Sequence, residues 1–164
     1  MKGAAGELRR ALREAGPRLR AIGDAASRRR PARGAWSPRE ILGHLVDSAA
    51  NNHRRFVLAQ LQDDLVFPGY DGDAWVSLQR YRDIPWLELI QLWEAYNAHL
   101  ARLMAGVPVR EQERPRRRHN LHQIAWKPVS AEKPATLGYF MRDYVGHLAH
   151  HLGQILTLSA RTRR

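Results

Sequence analysis

Two histidines near the end of the chain have a spacing that suits metal binding. His147 and His151 are four residues apart, so on an α-helix they lie on one face, one turn above the other. Two imidazoles in this arrangement can bind one metal ion, as in other His-x-x-x-His sites. His150 points about 60° away from His147 on a helix of 3.6 residues per turn, so we expect it not to bind the same ion.

A third candidate ligand, His44, begins a polar stripe on an earlier helix. The stripe runs beside an apolar face at offsets of three and four residues, through Asp47, Ser48, Asn51 and Arg55. Polar groups beside a core face are costly unless they find partners or line a wet cavity. If this helix packs beside the last one, His44, His147 and His151 converge, and a coordination position stays open to water or substrate.

Both patterns also have ordinary structural interpretations. An inward-facing histidine is most often a hydrogen-bonded core residue, and a polar stripe can be a solvated helix face. His119 and His122 also have a chelating spacing, but a loop flanked by prolines usually exposes such side chains. Spacing alone therefore leaves metal binding and ordinary packing open as alternatives.

Four long helices are predicted to position these residues. They are expected over residues 5–29, with a break or kink at Pro17, over 38–61, over 84–104 and over 137–161. The clearest start is that of the second helix, where Ser37 and Glu40 form a capping box around Pro38. Asp83 and Thr136 are the expected N-caps of the third and fourth helices.

The segments between these helices are irregular. Residues 62–73 are predicted to form a loop, followed by a short helix over 74–80. Before the last helix we expect a long loop or a small hairpin over 121–126, where apolar residues alternate weakly. The pattern predicts an all-α four-helix bundle in a single domain spanning 1–164, with residues 1–16 considered as a basic N-terminal extension.

The composition is that of a globular protein and excludes catalytic and metal sites that need cysteine. Of the 164 residues 44% are hydrophobic and 26% charged, and no run of about 18 apolar residues occurs, so no membrane span is expected. The absence of cysteine excludes disulfides, thiolate zinc sites and cysteine nucleophiles, so any metal must be held by histidine and carboxylate. This absence, and a charged start unlike a signal peptide, lead us to expect a cytoplasmic protein.

The net charge of +11 comes almost entirely from arginine. The arginines cluster in residues 1–35, at the end of the chain, and in a run that contains Arg110, Arg114, Arg116, Arg117 and Arg118. No helix shows a basic face interleaved with aromatic residues, so we expect no specific nucleic-acid partner and only weak, salt-sensitive binding.

Three segments resemble motifs of the DinB/YfiT-like metalloenzyme family. WSPREILGHLVDSAANNHRRF resembles the family's first motif, with a tryptophan and helix cap, a histidine, an Asp-Ser pair, and then Asn and Arg-Phe. YDGDAW at 70–75 resembles its Tyr-Asp-x-x-Ala-Trp segment. DYVGHLAHHLGQI at 143–155 resembles its last-helix motif, with an extra histidine before the second ligand. The resemblance spans about residues 17–160, in the family's order.

The resemblance implies both an architecture and a metal site. It implies an up-down-down-up bundle and one divalent metal held by His44, His147 and His151. All-nitrogen ligation suits zinc, nickel, iron or copper alike, so the residues do not name the metal. We expect zinc or nickel first and iron second. Members similar to this chain are often homodimers, and some related proteins transfer a low-molecular-weight thiol such as bacillithiol, mycothiol or glutathione. The long basic N-terminus and the RPRRR run are not typical of the motif.

The polar stripe and two loop aromatics supply candidate roles around such a metal. Asp47 is a candidate catalytic base, or a partner that orients a ligand imidazole. Asn51 and Arg55 are expected to hold a carboxylate or sugar of a small-molecule substrate, and Tyr70 and Trp126 to wall the cavity.

Three classes of function compete for this pattern. An open metal position can present a thiol co-substrate as thiolate for S-transfer, which needs no protein cysteine, or it can activate water for hydrolysis. Thiol transfer is the leading hypothesis and a metal-dependent hydrolase the alternative. A metal-binding or stress-related bundle without turnover is the third.

Overall fold

The computed structural model describes residues 3–161, and every regular secondary-structure element among them is a helix. The elements are α1 (Ala4–Arg20), α2 (Asp24–Arg28), α3 (Pro38–Leu58), α4 (Gly72–Gln79), a 3-10 turn (Tyr81–Asp83), α5 (Trp86–Gly106), α6 (Val109–Glu113), α7 (Leu121–Ile124) and α8 (Leu137–Arg161). The long helices α1, α3, α5 and α8 form the predicted four-helix bundle. No helix of the described part of the chain has the length and apolar character needed to cross a membrane.

Helices α1 and α5 run antiparallel. The Trp86 indole at the start of α5 donates to the Leu19 carbonyl near the end of α1, at 3.0 Å. At the opposite ends, the Arg9 guanidinium donates to the Ala101 carbonyl at 3.5 Å. Leu8 and Leu19 are completely buried. Residues 4–16 are therefore part of the bundle rather than a basic extension of it.

Helix α3 runs parallel to α5 and antiparallel to α8. Near its start, the Arg39 guanidinium donates to the Ile84 carbonyl just before α5, at 2.6 Å, while further along, the rings of His53 and His99 are 4.9 Å apart. Against α8, the order is reversed, with Phe56 of α3 contacting Phe140 in the first turn of α8. The directions give the up-down-down-up order that the family resemblance implies.

The capping box at the start of α3 is confirmed. The Ser37 hydroxyl accepts from the backbone N–H of Glu40 at 3.3 Å, and the Glu40 carboxylate accepts from the Ser37 backbone N–H at 2.8 Å. Thr136 also caps α8 as predicted, because its hydroxyl accepts from the Tyr139 backbone N–H at 3.1 Å. These caps fix where the two helices that carry the candidate ligands begin.

Two predicted helix boundaries are wrong. Helix α1 continues through Pro17, because the Pro17 carbonyl still accepts a backbone hydrogen bond from Ala21 and packing on α5 holds the helix. It ends at Arg20. Asp83 does not cap α5. It lies in the 3-10 turn, where its carboxylate pairs with Arg80 at 2.8 Å, and α5 begins only after Pro85.

The hairpin predicted over 121–126 is wrong as well. Residues 121–124 form the short helix α7, and Leu121 is fully buried. The chain before α7 pairs with a segment from the α3–α4 connection instead of with itself. Leu65 donates its backbone N–H to Arg118, and the Asn120 side chain both donates to and accepts from the backbone of Phe67. Pairing with distant chain cannot be read from local alternation.

One arginine of the basic cluster is a structural residue. Arg116 is buried, and its guanidinium donates to the Ala59 carbonyl at 2.6 Å and to the Glu111 carboxylate at 3.2 Å. It therefore fastens the crossover to the end of α3 and is not available to an external ligand.

We predict that alanine at Gly43 destabilises the bundle, because a Cβ there would lie 2.2 Å from the Tyr81 ring. The loss should be at least about 1–3 kcal/mol in the free energy of unfolding, measured by urea denaturation. Gly153→Ala is the matched control, because a Cβ there meets nothing within 4 Å and alanine favours a helix interior. Equal stability of the two variants would contradict the close packing of Tyr81 on α3.

Candidate metal centre

Three histidine side chains from α3 and α8 converge in the structure. One ring nitrogen from each of His44, His147 and His151 lies within 4.8 Å of the other two. The Nε2 atoms of His44 and His147 are 3.3 Å apart, and the His147 and His151 ring centroids are 4.5 Å apart. These are the three ligands expected from the sequence, brought together by the antiparallel packing of the two helices.

The surroundings of the three rings hold them in place. His44 packs between Trp36, with ring centroids 5.0 Å apart, and Gly72 at the start of α4, where a Cβ would already touch the imidazole at 3.5 Å. The Trp126 ring covers the α8 side, 6.4 Å from the ring of His147. Two loops and the start of α4 therefore close over residues that the helices position.

Hydrogen bonds to the outer nitrogens orient two of the imidazoles. Nδ1 of His147 lies 3.4 Å from the Ser48 hydroxyl, and Nδ1 of His151 lies 2.8 Å from the Gln154 side-chain oxygen. Nδ1 of His44 is buried without a hydrogen-bond partner. Because Nδ1 is engaged in this way, Nε2 is the nitrogen that remains to bind a metal on these two rings, which is the usual arrangement around a metal-binding histidine.

Burial keeps the cluster uncharged at neutral pH. Loss of solvation, and then the charge of His151, lower the pKa of His44 to about 4. Loss of solvation, followed by the charges of neighbouring histidines, lowers the pKa of His147 to about 3. The pKa of His151 is lowered as well, chiefly by burial. Neutral imidazole is the form that binds a metal.

The donor set fits a divalent transition metal. Zinc–nitrogen bonds of about 2.0–2.1 Å in a tetrahedron place neighbouring nitrogens about 3.3–3.4 Å apart, close to the Nε2–Nε2 distance of His44 and His147. Within residues 3–161, no carboxylate oxygen joins the three nitrogens. An all-imidazole set suits zinc, nickel, iron or copper alike, and three ligands leave a coordination position open.

Asp47 lies one turn after His44 but bonds elsewhere. Its Oδ1 accepts from the Tyr81 hydroxyl and, at 2.6 Å, from the Gln79 amide, while its Oδ2 is buried without a partner. Neither oxygen is hydrogen-bonded to an imidazole, and burial raises the pKa of the carboxyl. In the structure Asp47 ties the segment after α4 to α3, in place of the contact with a ligand histidine expected from the sequence.

A cavity of about 160 Å³, here called the smaller cavity, adjoins the cluster on the side of His147. Arg55, Tyr70 and Trp126 line it, where the sequence predicts them around the substrate. Asn51 does not line it, because its amide donates to the Asp47 carbonyl of its own helix at 2.9 Å. The neighbouring residue, Asn52, lines the cavity in its place.

A second cavity of about 710 Å³, here called the larger cavity, adjoins the cluster on the side of His151. It lies between α8 and the chain that precedes α3, and its lining includes Trp36, Ile41, Asp73, Gln154 and Leu158. The cluster therefore has a separate space on each side.

Four residues around the cluster are not singled out as site residues by the sequence pattern. They are Trp36, Ser48, Asn52 and Gln154. Ser48 belongs to the polar stripe, and Gln154 follows His151 by one helical turn, so both carry a weak spacing signal. Trp36 is recognisable only as the apolar residue before a helix cap.

The remaining histidines bond outside the cluster. His150 is exposed and lies 3.2 Å from the Gln154 amide. His119 bonds through Nε2 to the Lys133 carbonyl at 2.7 Å and accepts the Leu121 backbone N–H on Nδ1, so it is a structural residue of the crossover.

We predict that alanine at His44, His147 or His151 removes most of the bound metal. Replacing a residue that only hydrogen-bonds a metal ligand lowers metal affinity about 10–100-fold. Each of these substitutions deletes a ligand itself, so the affinity should fall further. His150→Ala, on the same helix, is the control and should bind as the unmodified chain does. Elemental analysis after purification without an affinity tag measures this, and full occupancy in His44→Ala would refute a site shared by two helices.

The low pKa of His44 predicts a pH dependence of the metal-free fold. The pKa of His44 is 6.5 in the unfolded chain and about 4 in the folded one, so between these two pH values the unfolded chain binds a proton that the folded chain does not. The free energy of unfolding therefore decreases as the pH is lowered through this window. At pH 5 the loss should be about 2 kcal/mol from this group. Urea denaturation should show a flatter profile for His44→Gln, while His122→Gln, an exposed control, keeps the original slope. Parallel profiles for all three proteins would contradict the burial of a neutral His44.

Comparisons with known proteins agree with this architecture. The model of the DinB superfamily matches residues 7–155. Two curated proteins of Oceanobacillus iheyensis, each named "Putative metal-dependent hydrolase", are 27% identical to the chain over 128 and 122 residues. The matches cover 78% and 74% of this chain, and 67% and 64% of the two proteins, or about two thirds of their length.

A solved structure shows the same fold. YfiT from Bacillus subtilis, described as a probable metal-dependent hydrolase with an unusual four-helix bundle topology, matches with a TM-score of 0.74. The match covers 96% of this chain and 87% of YfiT at 21% identity, so the likeness concerns the fold alone. Because the family model extends from the first turns of α1 well into α8, this chain belongs to the DinB superfamily.

Proposed function

We propose that this protein is a metal-dependent enzyme that activates a low-molecular-weight thiol for transfer to a small electrophilic substrate. The observation that carries the proposal is a cluster of three neutral imidazoles that no carboxylate of the described residues joins and that adjoins a different cavity on each side. A reaction between two substrates needs two spaces that meet at the reactive centre.

Residues of the chain have three roles in this proposal: they bind the ion, orient its ligands and hold the substrates. His44, His147 and His151 hold the ion, while Ser48 and Gln154 orient two of the rings. When bound, a divalent ion with an open position acts as a Lewis acid that lowers the pKa of a coordinating thiol or water. We assign the thiol to the larger cavity because its volume suits a tripeptide or a glycoside, and the acceptor to the smaller one.

The surroundings favour a thiol over water as the nucleophile. Metalloproteases with a histidine pair on a helix use a carboxylate as general base for water. Here Asp47 bonds Tyr81 and Gln79 through Oδ1 and neither of its oxygens bonds a ligand imidazole, and Asp143 accepts the backbone N–H groups of Trp126 and Lys127. A thiol has a pKa near 8.5 and gives its proton to solvent far more readily than water does, so it needs no such base.

Hydrolysis is the second candidate. The names of the two Oceanobacillus proteins and the description of YfiT support it, since all three refer to metal-dependent hydrolases. In this case the two cavities would hold the two halves of one substrate, and the nucleophile would be water.

We predict that metal-loaded protein accelerates the alkylation of one thiol among bacillithiol, mycothiol, glutathione and coenzyme A. A free thiol is only about 3% ionised at pH 7, so complete ionisation alone raises the rate about 30-fold. The rate with monobromobimane, measured by fluorescence, should stay flat across the pH range in which the free thiol ionises. Chelation or His151→Ala should abolish the acceleration, while His122→Ala, at an exposed histidine outside both cavities, should keep it.

The outcome separates the candidates. If no thiol reacts faster than the uncatalysed rate while ester or amide substrates are cleaved, the hydrolase is the correct function. If neither class turns over in metal-loaded protein, the thiol proposal fails and a metal-binding bundle without turnover replaces it.

A further inference from the structure

Arg55 is a buried cation without an acidic partner. Its residue is only 6% exposed, and among residues 3–161 it forms no ion pair. Among the residues whose burial the structure describes, the other two similarly buried arginines do form ion pairs, Arg39 with Asp24 and Arg116 with Glu111. Burying an unpaired charge is costly, so the exception at Arg55 calls for a compensating group.

The contacts of Arg55 within the chain are few for a guanidinium with five N–H donors. Nη2 donates to the Pro68 carbonyl at 2.8 Å. The guanidinium carbon lies 5.9 Å from the ring centroid of Tyr70 and 6.0 Å from that of Phe140, so two aromatic faces flank it. Burial lowers the pKa of Arg55, and a guanidinium nevertheless stays charged in proteins.

Arg55 and His147 line the same smaller cavity of about 160 Å³. The Asn52 amide lines it too, and its oxygen is buried without a hydrogen-bond donor. Asp143 completes the charged lining, but it lies beyond ion-pair distance of Arg55, and its two oxygens accept backbone N–H groups. The cavity thus offers one unpaired cation and one unpaired acceptor beside a candidate metal ligand.

We infer that the smaller cavity binds the carboxylate of a small monocarboxylate substrate through Arg55, with the substrate's reactive carbon toward His147. The planar guanidinium matches a carboxylate in a bidentate geometry, and Asn52 accepts from a hydroxyl or amine beside it. At about 30 Å³ per water, the volume suits a group of about five non-hydrogen atoms. The carboxylate of Asp143 in the same cavity disfavours a dianion. This inference rests on the proposed function, because it names the acceptor for the same centre.

A matched pair of acceptors measures this in the reaction. With iodoacetate, the thiol sulfur forms a bond to the methylene carbon, iodide leaves with the bonding pair, and the thiol proton goes to solvent. Iodoacetamide reacts in the same way but carries an uncharged amide in place of the carboxylate. After correction for the uncatalysed rates, kcat/KM should be at least tenfold higher for iodoacetate.

Substitution at Arg55 should remove this preference. In Arg55→Met, kcat/KM for iodoacetate should fall at least tenfold, while that for iodoacetamide changes less than threefold. Arg54→Met is the matched control, because Arg54 is the exposed neighbour on the same helix, and it should keep the preference. An unchanged preference in Arg55→Met would place the carboxylate elsewhere and overturn the inference.

A binding measurement tests the subsite without any turnover. Calorimetry on zinc-loaded, full-length protein should show propionate binding, at least tenfold tighter than propionamide. Arg55→Met should lose this difference and Arg54→Met should retain it. If Arg55→Met does not fold, Arg55→Lys serves instead and should weaken propionate several-fold, because lysine cannot form the bidentate contact.

The two proposals can fail separately. Propionate binding that depends on Arg55, without thiol alkylation, would contradict the thiol function and leave the subsite standing. Thiol alkylation with equal use of iodoacetate and iodoacetamide, and with propionate bound equally by both methionine variants, would overturn the subsite and leave the function standing.

Discussion

The structure depends on the close approach of three uncharged imidazoles from two antiparallel helices. Their ring nitrogens can meet only because α3 and α8 run past one another with Phe56 against Phe140 at one end and His44 against His151 at the other. Burial removes the protons that would make the three rings repel one another. The same burial prepares the nitrogens to bind a metal, so the constraint on packing is also the condition for chemistry.

The parts of the site that follow local rules could be predicted from the sequence. The capping box at Ser37 fixes the start of α3, and four-residue spacing fixes the pair on α8, so the three ligands follow once the helices pack together. Asp47 and Asn51 were expected at the site because they share the stripe of His44. Tertiary contacts with Tyr81 and Gln79 engage Asp47, and Asn51 bonds its own helix. The hairpin predicted over 121–126 was wrong for a similar reason, since the chain just before it pairs with residues near Leu65 that are distant in sequence.

The distribution of arginine explains part of the high net charge. Arg39, Arg55 and Arg116 are buried, and two of them, Arg39 and Arg116, form ion pairs with carboxylates of the chain. Part of the net charge of +11 therefore lies inside the protein and not on its surface. It includes one cation, Arg55, that is held beside the candidate metal centre with aromatic rings on two sides and no carboxylate of the described residues paired to it. The two cavities consequently differ in character, one large and beside His151, the other small, beside His147, and lined by Arg55.

The central claim is that the three imidazoles bind one metal and leave a position that a thiol can occupy. X-ray absorption spectroscopy of the zinc-loaded, full-length protein tests this most directly, before and after addition of the thiol that supports alkylation. The account predicts three imidazole ligands in both states, and one sulfur ligand that appears only with the thiol. A shell with fewer than three imidazoles, or one that gains no sulfur on addition of any of the four thiols, would contradict it.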